Sequence, residues 1–230
     1  LSIFPVGDSN ELIGENSGMM NNKYLDNSNN RSYYQNYIID DDFESNEELN
    51  WYIEGNGDCE VSVNDSYVYV NNYGSGTFPR TLDLIKNITE INDESFVFKA
   101  NFTAQSSYSG REKISFMLLG DNSIISIAWA DHWAYENKSR ICLRIDDTYI
   151  YDEYKTTKYN IFNGSIQLNW NKTGNVKLTI HNDIEEIFEY EINKYINISQ
   201  VKMAFNYTSS DRVPLLRVDE IKMYKDEFTN

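Results

Sequence analysis

Nine asparagines stand in the pattern Asn-x-Ser/Thr: Asn30, Asn64, Asn87, Asn101, Asn137, Asn163, Asn171, Asn197 and Asn206. This triplet is the acceptor for N-linked glycan. With 29 Asn, 21 Ser and 11 Thr among 230 residues, random placement would give about four such triplets. Nine, spread along the whole chain, exceed that, and all nine are candidate glycosylation sites. Two lie on the polar phase of an alternating run. In FVFKANFTA (96–104) the apolar phase is Phe96, Phe98, Ala100 and Phe102, which leaves Asn101 and Thr103 on the other face. In QVKMAFNYT (200–208) Val201, Met203, Phe205 and Tyr207 share one face, opposite Asn206 and Thr208. A glycan is compatible with a strand only on such a solvent face.

Catalytic chemistry has less to stand on. The two histidines, His132 and His181, have no Ser or Cys motif beside them, so neither a nucleophile triad nor a His-based zinc site is indicated. Hydrolysis of a glycosidic bond needs two carboxyl groups held a few ångströms apart. The acidic stretches NDIEEIFEYE (182–191) and VDEIKMYKDE (218–227) instead alternate outward as solvated strand faces. The chain is therefore expected not to be an enzyme. Sugar recognition uses exposed rings with Asp or Asn beside them, and AWADHWAYEN (128–137) offers Asp131, Trp133 and Tyr135 as a candidate carbohydrate-binding set. Trp129 continues the phase of Ile125 and Ile127 and is assigned to the core.

A formal net charge of −16 repels phosphate backbones and anionic membrane surfaces, so nucleic-acid binding is excluded. No apolar run approaches the roughly 18 residues needed to span a bilayer. The chain starts at Leu1 without a Met and without a leader pattern, which fits an exported chain after removal of its leader, or a piece of something longer. Cys59 and Cys142 occupy no CxxC context, and in an exported protein they are expected to form one disulfide between distant strands.

Residues 1–36 are rich in Asn and Ser with little periodicity, and they read as an extended N-terminal segment. From Tyr37 to Asn230 the pattern is β throughout, with about fourteen short apolar–polar runs parted by turn stretches such as EGNGD, NDS, YGSG, GDN, KTGN and SSD. So many strands with no helix to cover the sheet faces imply an all-β fold of two antiparallel sheets.

Three stretches carry a resemblance to a family. DDFESNEELNWYIEG, with Asp41-Asp42-Phe43 and Trp51, resembles the first strand and turn of the concanavalin-like (laminin-G or lectin-type) jelly roll. LLRVDEIKMY, with Val218-Asp219-x-Ile221, resembles its last strand. GSIQLNWNKTGNVKLTIHND resembles its long middle strands joined at a Gly turn. The resemblance covers about residues 37–226 and implies a jelly-roll sandwich. It also implies a structural Ca²⁺ where first and last strands meet, with Asp42, Glu44 and Asp219 at the matching positions.

Together these readings give an N-glycosylated, non-enzymatic extracellular or cell-surface protein. The leading expectation is a structural subunit of a surface filament, layer or adhesive coat. It would assemble with identical subunits by donating LSIFPVG or YYQNYII to a neighbour's sheet edge. The alternative is a carbohydrate-binding, lectin-like module of a larger secreted protein with a polysaccharide ligand. If the triplets are used, the natively purified protein should exceed its chain mass by multiples of a sugar residue. An intact-mass spectrum at the bare chain mass would remove glycosylation from the account.

Overall fold

The computed structural model describes residues 21–25, 32–43, 49–56, 59–64, 67–72, 80–105, 113–131, 138–156, 161–207 and 215–226. Every regular element in them is a strand. The chain divides into two units, Leu1–Asn36 and Tyr37–Asn230. In the first, β1 (Asn21–Leu25) pairs antiparallel with the leading residues of β2 (Ser32–Asp41), with Asn21 opposite Asn36 and Leu25 opposite Ser32.

The second unit continues β2 and adds β3 (Tyr52–Asn56), β4 (Cys59–Asn64), β5 (Tyr67–Asn72), β6 (Arg80–Asn92), β7 (Phe96–Gln105), β8 (Lys113–Gly120) and β9 (Ser123–Asp131). These are followed by β10 (Lys138–Ile145), β11 (Thr148–Thr156), β12 (Ile161–Trp170), β13 (Asn175–His181), β14 (Glu185–Glu191), β15 (Asn197–Tyr207) and β16 (Leu215–Lys225). They form two antiparallel sheets. Sheet I runs β2-β16-β7-β12-β13-β14, with β5 on the other part of β16 and β4 on β5. Sheet II has seven strands in the order β11-β10-β9-β8-β15-β6-β3. This is the two-sheet jelly-roll sandwich expected from the alternating pattern.

Alternation supplies the core because successive side chains on a strand point to opposite faces. Phe96, Phe98, Ala100, Phe102 and Ala104 of β7 are buried, as are Ile114, Phe116 and Leu118 of β8 and Val201, Met203 and Phe205 of β15. The two sheets meet at aromatic contacts. Phe102 lies 5.2 Å from Phe116 and 4.5 Å from Phe162, and Phe98 lies 6.1 Å from Phe116, as ring centroids. The two long edges of the sandwich close differently. On one, Tyr151 of β11 packs on Phe188 of β14 with centroids 4.4 Å apart. On the other, Asp41 of β2 accepts from Trp51 Nε1 at 3.0 Å and from Lys86 Nζ of β6 at 2.7 Å, and the ammonium lies over the indole ring. The opening stretch thus ties the first strand of sheet I to sheet II.

One expectation needs correction here. The WYIEGN stretch forms edge strand β3, although Gly55 and Asn56 signal a turn. Gly55 runs so close to β6 that a Cβ there would sit 2.6 Å from the Thr81 carbonyl oxygen, so the glycine permits pairing and does not end it. Of the segments expected to be donated to a neighbouring subunit, LSIFPVG lies outside the described residues. The Tyr37–Ile39 end of YYQNYII is paired within the chain, with Tyr37 opposite Tyr224 and Ile39 opposite Met223.

The outer face of sheet I is a charged ladder whose members satisfy one another. Glu220 accepts from Asn101 Nδ2 at 2.7 Å, from Lys99 Nζ at 3.2 Å and from Lys222 Nζ, and Lys222 also lies 3.6 Å from Asp40. Burial alone would raise the Glu220 carboxyl, but hydrogen bonds and charge from Lys222 and Lys99 outweigh it and hold the carboxyl below its usual range. A lowered folded-state pKa means stability that is present at neutral pH and is lost as pH falls through that pKa. Glu220→Gln should therefore lower the melting temperature at pH 7, with the gap to wild type closing below about pH 4. A gap that is the same at pH 3 and pH 7 would refute this account. Phe116→Ala, which empties the centre of the core, should cost about 3–5 kcal/mol in a denaturant titration.

Candidate functional site

Register determines which side chains share the outer face of sheet II. Pairing places Glu54, Asp83, Ala204, Ser115, Ala128, Cys142 and Asp152 in one row across all seven strands. The next row is Tyr52, Ile85, Lys202, Met117, Ser126, Arg144 and Tyr149. On the other side, Asn56, Thr81, Asn206, Lys113, Ala130, Arg140 and Tyr154 stand in register. The first row is small in its middle and acidic towards its ends, so the face carries a shallow trough across the strands.

The trough floor has an unusual burial. Ala204, Ser115, Ala128 and Cys142 point away from the core, yet Ser115 is only 2% exposed and Cys142 only 8%. The Ser115 hydroxyl is buried without a hydrogen-bond partner. A buried hydroxyl without a partner costs about 1–3 kcal/mol. Arg144 Nε is likewise buried and unpartnered, while its Nη2 donates to the Asp146 carbonyl at 3.3 Å and the guanidinium lies over the Tyr149 ring at 5.2 Å.

The wall row is charged and aromatic. Lys202 Nζ donates to Asp83 at 2.9 Å, so the ammonium leans from its own row into the first. Tyr52 and Tyr149 stand at opposite ends of this row, 67% and 49% exposed. At the Tyr149 end, Asp146 turns the chain with φ 51°, accepts from the Ile124 amide at 3.0 Å, and takes a hydrogen bond from Lys194. The Lys194 bond, followed by the Ile124 amide, lowers the Asp146 carboxyl and keeps this corner charged and fixed.

The residues singled out by sequence are scattered over the fold. Asn101 and Asn163 lie on the outer face of sheet I, where Thr103 Oγ1 donates to Asn163 Oδ1 at 2.8 Å. Asn171 is in the β12–β13 turn and Asn87 is exposed on β6. Asn197 opens β15 and donates to Glu90, Asn206 stands in the third row of sheet II, and Asn64 ends β4. Asn30 and Asn137 lie outside the described residues. Asp131 ends β9, and Trp133, Tyr135 and Glu44 lie outside the described residues. Trp129 is in the core, as its phase required.

Asp42 is exposed after β2. Asp219 accepts from Arg217 Nε at 2.5 Å, so a cation at Asp219 would have to displace a guanidinium. Among the described residues no group of three His, Cys, Asp or Glu could hold a metal ion.

The expected Cys59–Cys142 disulfide is not compatible with this topology. Cys59 is on β4 of sheet I, next to the β6 edge, and Cys142 is on the outward face of β10, four strands from β6. At about 4.8 Å per strand that separation is roughly 19 Å, well beyond the ~7 Å Cα limit for a bridge.

The three-dimensional comparisons agree with this architecture. The CBM2 module of the evolved Dit of Lactobacillus casei BL23 phage J-1 superposes with a TM-score of 0.66 at 9% identity, covering 84% of this chain and 97% of that one. A seed lectin of Lotus tetragonolobus gives 0.57 at 9% identity, covering 80% and 96%. A β-glucanase of Bacillus licheniformis gives 0.53 at 9% identity, covering 82% and 98%. No protein-family model and no curated protein sequence matches the chain. The protein is thus a lectin-type, concanavalin-like jelly roll by fold.

The expectation that the chain is not an enzyme does not stand, because the same fold carries a β-glucanase. Its premise was also too narrow. Sequence reading looked for closely spaced carboxylates along one strand, whereas pairing sets Glu54 of β3 opposite Asp83 of β6 on the outer face. Both stood in plain view, but only the β3–β6 register brings them together.

Ser115→Ala removes a hydroxyl that bonds to nothing, so thermal unfolding should shift by no more than about 0.5 kcal/mol equivalent, or upward. A loss above about 1.5 kcal/mol would mean that the hydroxyl is satisfied in the folded protein.

Proposed function

We propose that this chain is a carbohydrate-binding module, and that an extended neutral polysaccharide lies along the trough on the outer face of sheet II. The observation that carries the reading is the register row itself. A small-residue floor with an unpartnered Ser115 hydroxyl is flanked by a wall with an exposed tyrosine at each end. Rings supply stacking faces for the apolar side of a sugar, while Lys202, Asp83 and the Arg144 guanidinium supply donors and acceptors for its edge. Six strand spacings separate Tyr52 from Tyr149, roughly 29 Å, which suits a chain of sugars and not a single one. Structural neighbours that are a CBM2 module and a seed lectin support this reading at the level of fold. An exported, glycosylated chain fits the same role, since such polymers lie outside the cell and the triplets are spread over both sheets.

The test is an array of neutral polysaccharides, followed by titration calorimetry with the best ligand. Tyr52→Ala and Tyr149→Ala should each weaken binding about tenfold, the equivalent of one lost stacking contact. Ser115→Val, which replaces the hydroxyl by a methyl and adds one further methyl to the floor, should abolish binding while the protein stays folded. An array without any retained polysaccharide, or full affinity in Ser115→Val, would sink the proposal.

The Glu54–Asp83 juxtaposition favours a second reading, cleavage of the bound chain. It is checked by release of reducing ends in the same panel, which Glu54→Gln should stop.

A further inference from the structure

The structure sorts the Asn-x-Ser/Thr triplets by what each asparagine amide already does. Three have a side-chain amide whose two ends are told apart by the partner, since a carboxylate only accepts and a backbone N–H only donates. They are Asn101 on β7, Asn197 at the start of β15, and Asn171 in the turn between β12 and β13. In the first two the nitrogen is engaged, and in the third it is the oxygen.

Asn101 Nδ2 donates to Glu220 Oε2 at 2.7 Å, on a carboxylate that Lys99 and Lys222 also hold. The hydroxyl of its own triplet is spent elsewhere, because Thr103 stands opposite Asn163 and donates to its Oδ1 at 2.8 Å. Asn197 Nδ2 donates to Glu90, and its Oδ1 is buried without a partner, so this amide faces into the protein. A glycan replaces one hydrogen of Nδ2 by a pyranose ring. At both positions that ring needs room which the bonded carboxylate and its neighbours fill.

Asn171 is arranged the other way round. Its Oδ1 accepts from the Thr173 amide at 2.9 Å and from the Thr173 hydroxyl at 3.0 Å, so the hydroxyl of this triplet is bonded to its own asparagine. Nδ2 is left as the free end of a planar amide: it bonds to no described residue and is not buried. Lys172 and Thr173 beside it are exposed. The turn is also braced. The Gly174 amide donates to the Asn171 carbonyl at 2.8 Å, the Ile192 amide to the Gly174 carbonyl at 2.6 Å, and the Lys172 amide to the Ser95 hydroxyl at 3.1 Å. Gly174 has φ +94°, which a side chain would strain. The acceptor nitrogen is therefore presented on a fixed support at the protein surface.

We infer that Asn171 carries an N-linked glycan, whereas Asn101 and Asn197 are structural asparagines that carry none. In the transfer, Asn171 Nδ2 bonds to the anomeric carbon of a sugar phosphate ester, the donor of a separate transferase. The bond from that carbon to the phosphate oxygen breaks, the phosphate ester leaves with the electron pair, and one Nδ2 proton passes to a base of the transferase. Nothing is oxidised or reduced. Oδ1 is untouched, so both bonds from Thr173 survive the attachment. The turn joins two strands of sheet I, so a glycan there leaves the outer face of sheet II uncovered. Attachment at Asn171 does not depend on what the trough binds.

The experiment is peptide mapping of the full chain isolated from its natural source, with fragmentation that keeps each sugar on its asparagine. Asn171 is expected to exceed its residue mass by multiples of a sugar residue, while Asn101 and Asn197 stand at theirs. In the same host, Asn171→Asp should lose the increment, since it keeps an oxygen for the Thr173 amide and lacks only the nitrogen. Thr173→Ser, which keeps the hydroxyl, should retain the increment, and Thr173→Ala should lose it. A thermal melt of each variant shows that it is folded. An unmodified Asn171, or a sugar on Asn101 or Asn197, would overturn the inference.

Discussion

The packing of Phe102 against Phe116 is the contact on which the other features depend. It joins the central strand of sheet I to the central strand of sheet II, and Phe98 and Phe162 extend it along the core. Because side chains alternate with period two, anchoring Phe116 inward leaves Ser115 and Met117 no choice but the outer face. A slip of one residue would bury those two and expose Ile114, Phe116 and Leu118 together. The trough floor is thus the unavoidable reverse side of the core. The hydrophobic effect that fixes the register also fixes where a hydroxyl with no partner must sit.

That reasoning separates what the sequence discloses from what it does not. Alternation is local, so the two-sheet class and the core phase of Trp129 are legible from one chain, whereas Val218 and Ile221, three residues apart, both turn inward only through the bulge between Val218 and Glu220. Pairing is not local. Strand β15 sits between β8 and β6, and the floor row collects single residues from seven segments of chain that carry no common motif. The Glu54–Asp83 pair escaped for the same reason, compounded by a glycine in β3 that signals a turn but serves close strand approach. The two cysteines failed in the opposite direction. Their number suggested a bridge, and only the strand order shows them on different sheets.

The two outer faces solve one electrostatic problem in different ways. The chain is strongly acidic, so carboxylates placed on sheet faces repel one another unless cations are set among them. Around Glu220 the pairing is complete, with two lysines and an amide on one carboxylate, and the side chains there are committed. Such a face is well suited to stability and poorly suited to recognition, since a ligand would have to break bonds that already exist.

On the outer face of sheet II the pairing is less complete. Lys202 neutralises Asp83, but Ser115 Oγ and Arg144 Nε have no partner among the described residues. A buried polar group left without a partner lowers stability, whereas an exposed one is satisfied by water and can exchange that water for a ligand. Sugars are suited to such an exchange. Their hydroxyls match donors and acceptors alike, and their ring faces match tyrosines that a folded core has no need to expose. The same logic explains why binding and hydrolysis share this fold: a groove that holds a polysaccharide across the strands becomes catalytic when two carboxylates stand about 5 Å apart beside the bound bond. In this chain the question therefore falls on one pair of neighbouring strands, β3 and β6, and not on the fold as a whole.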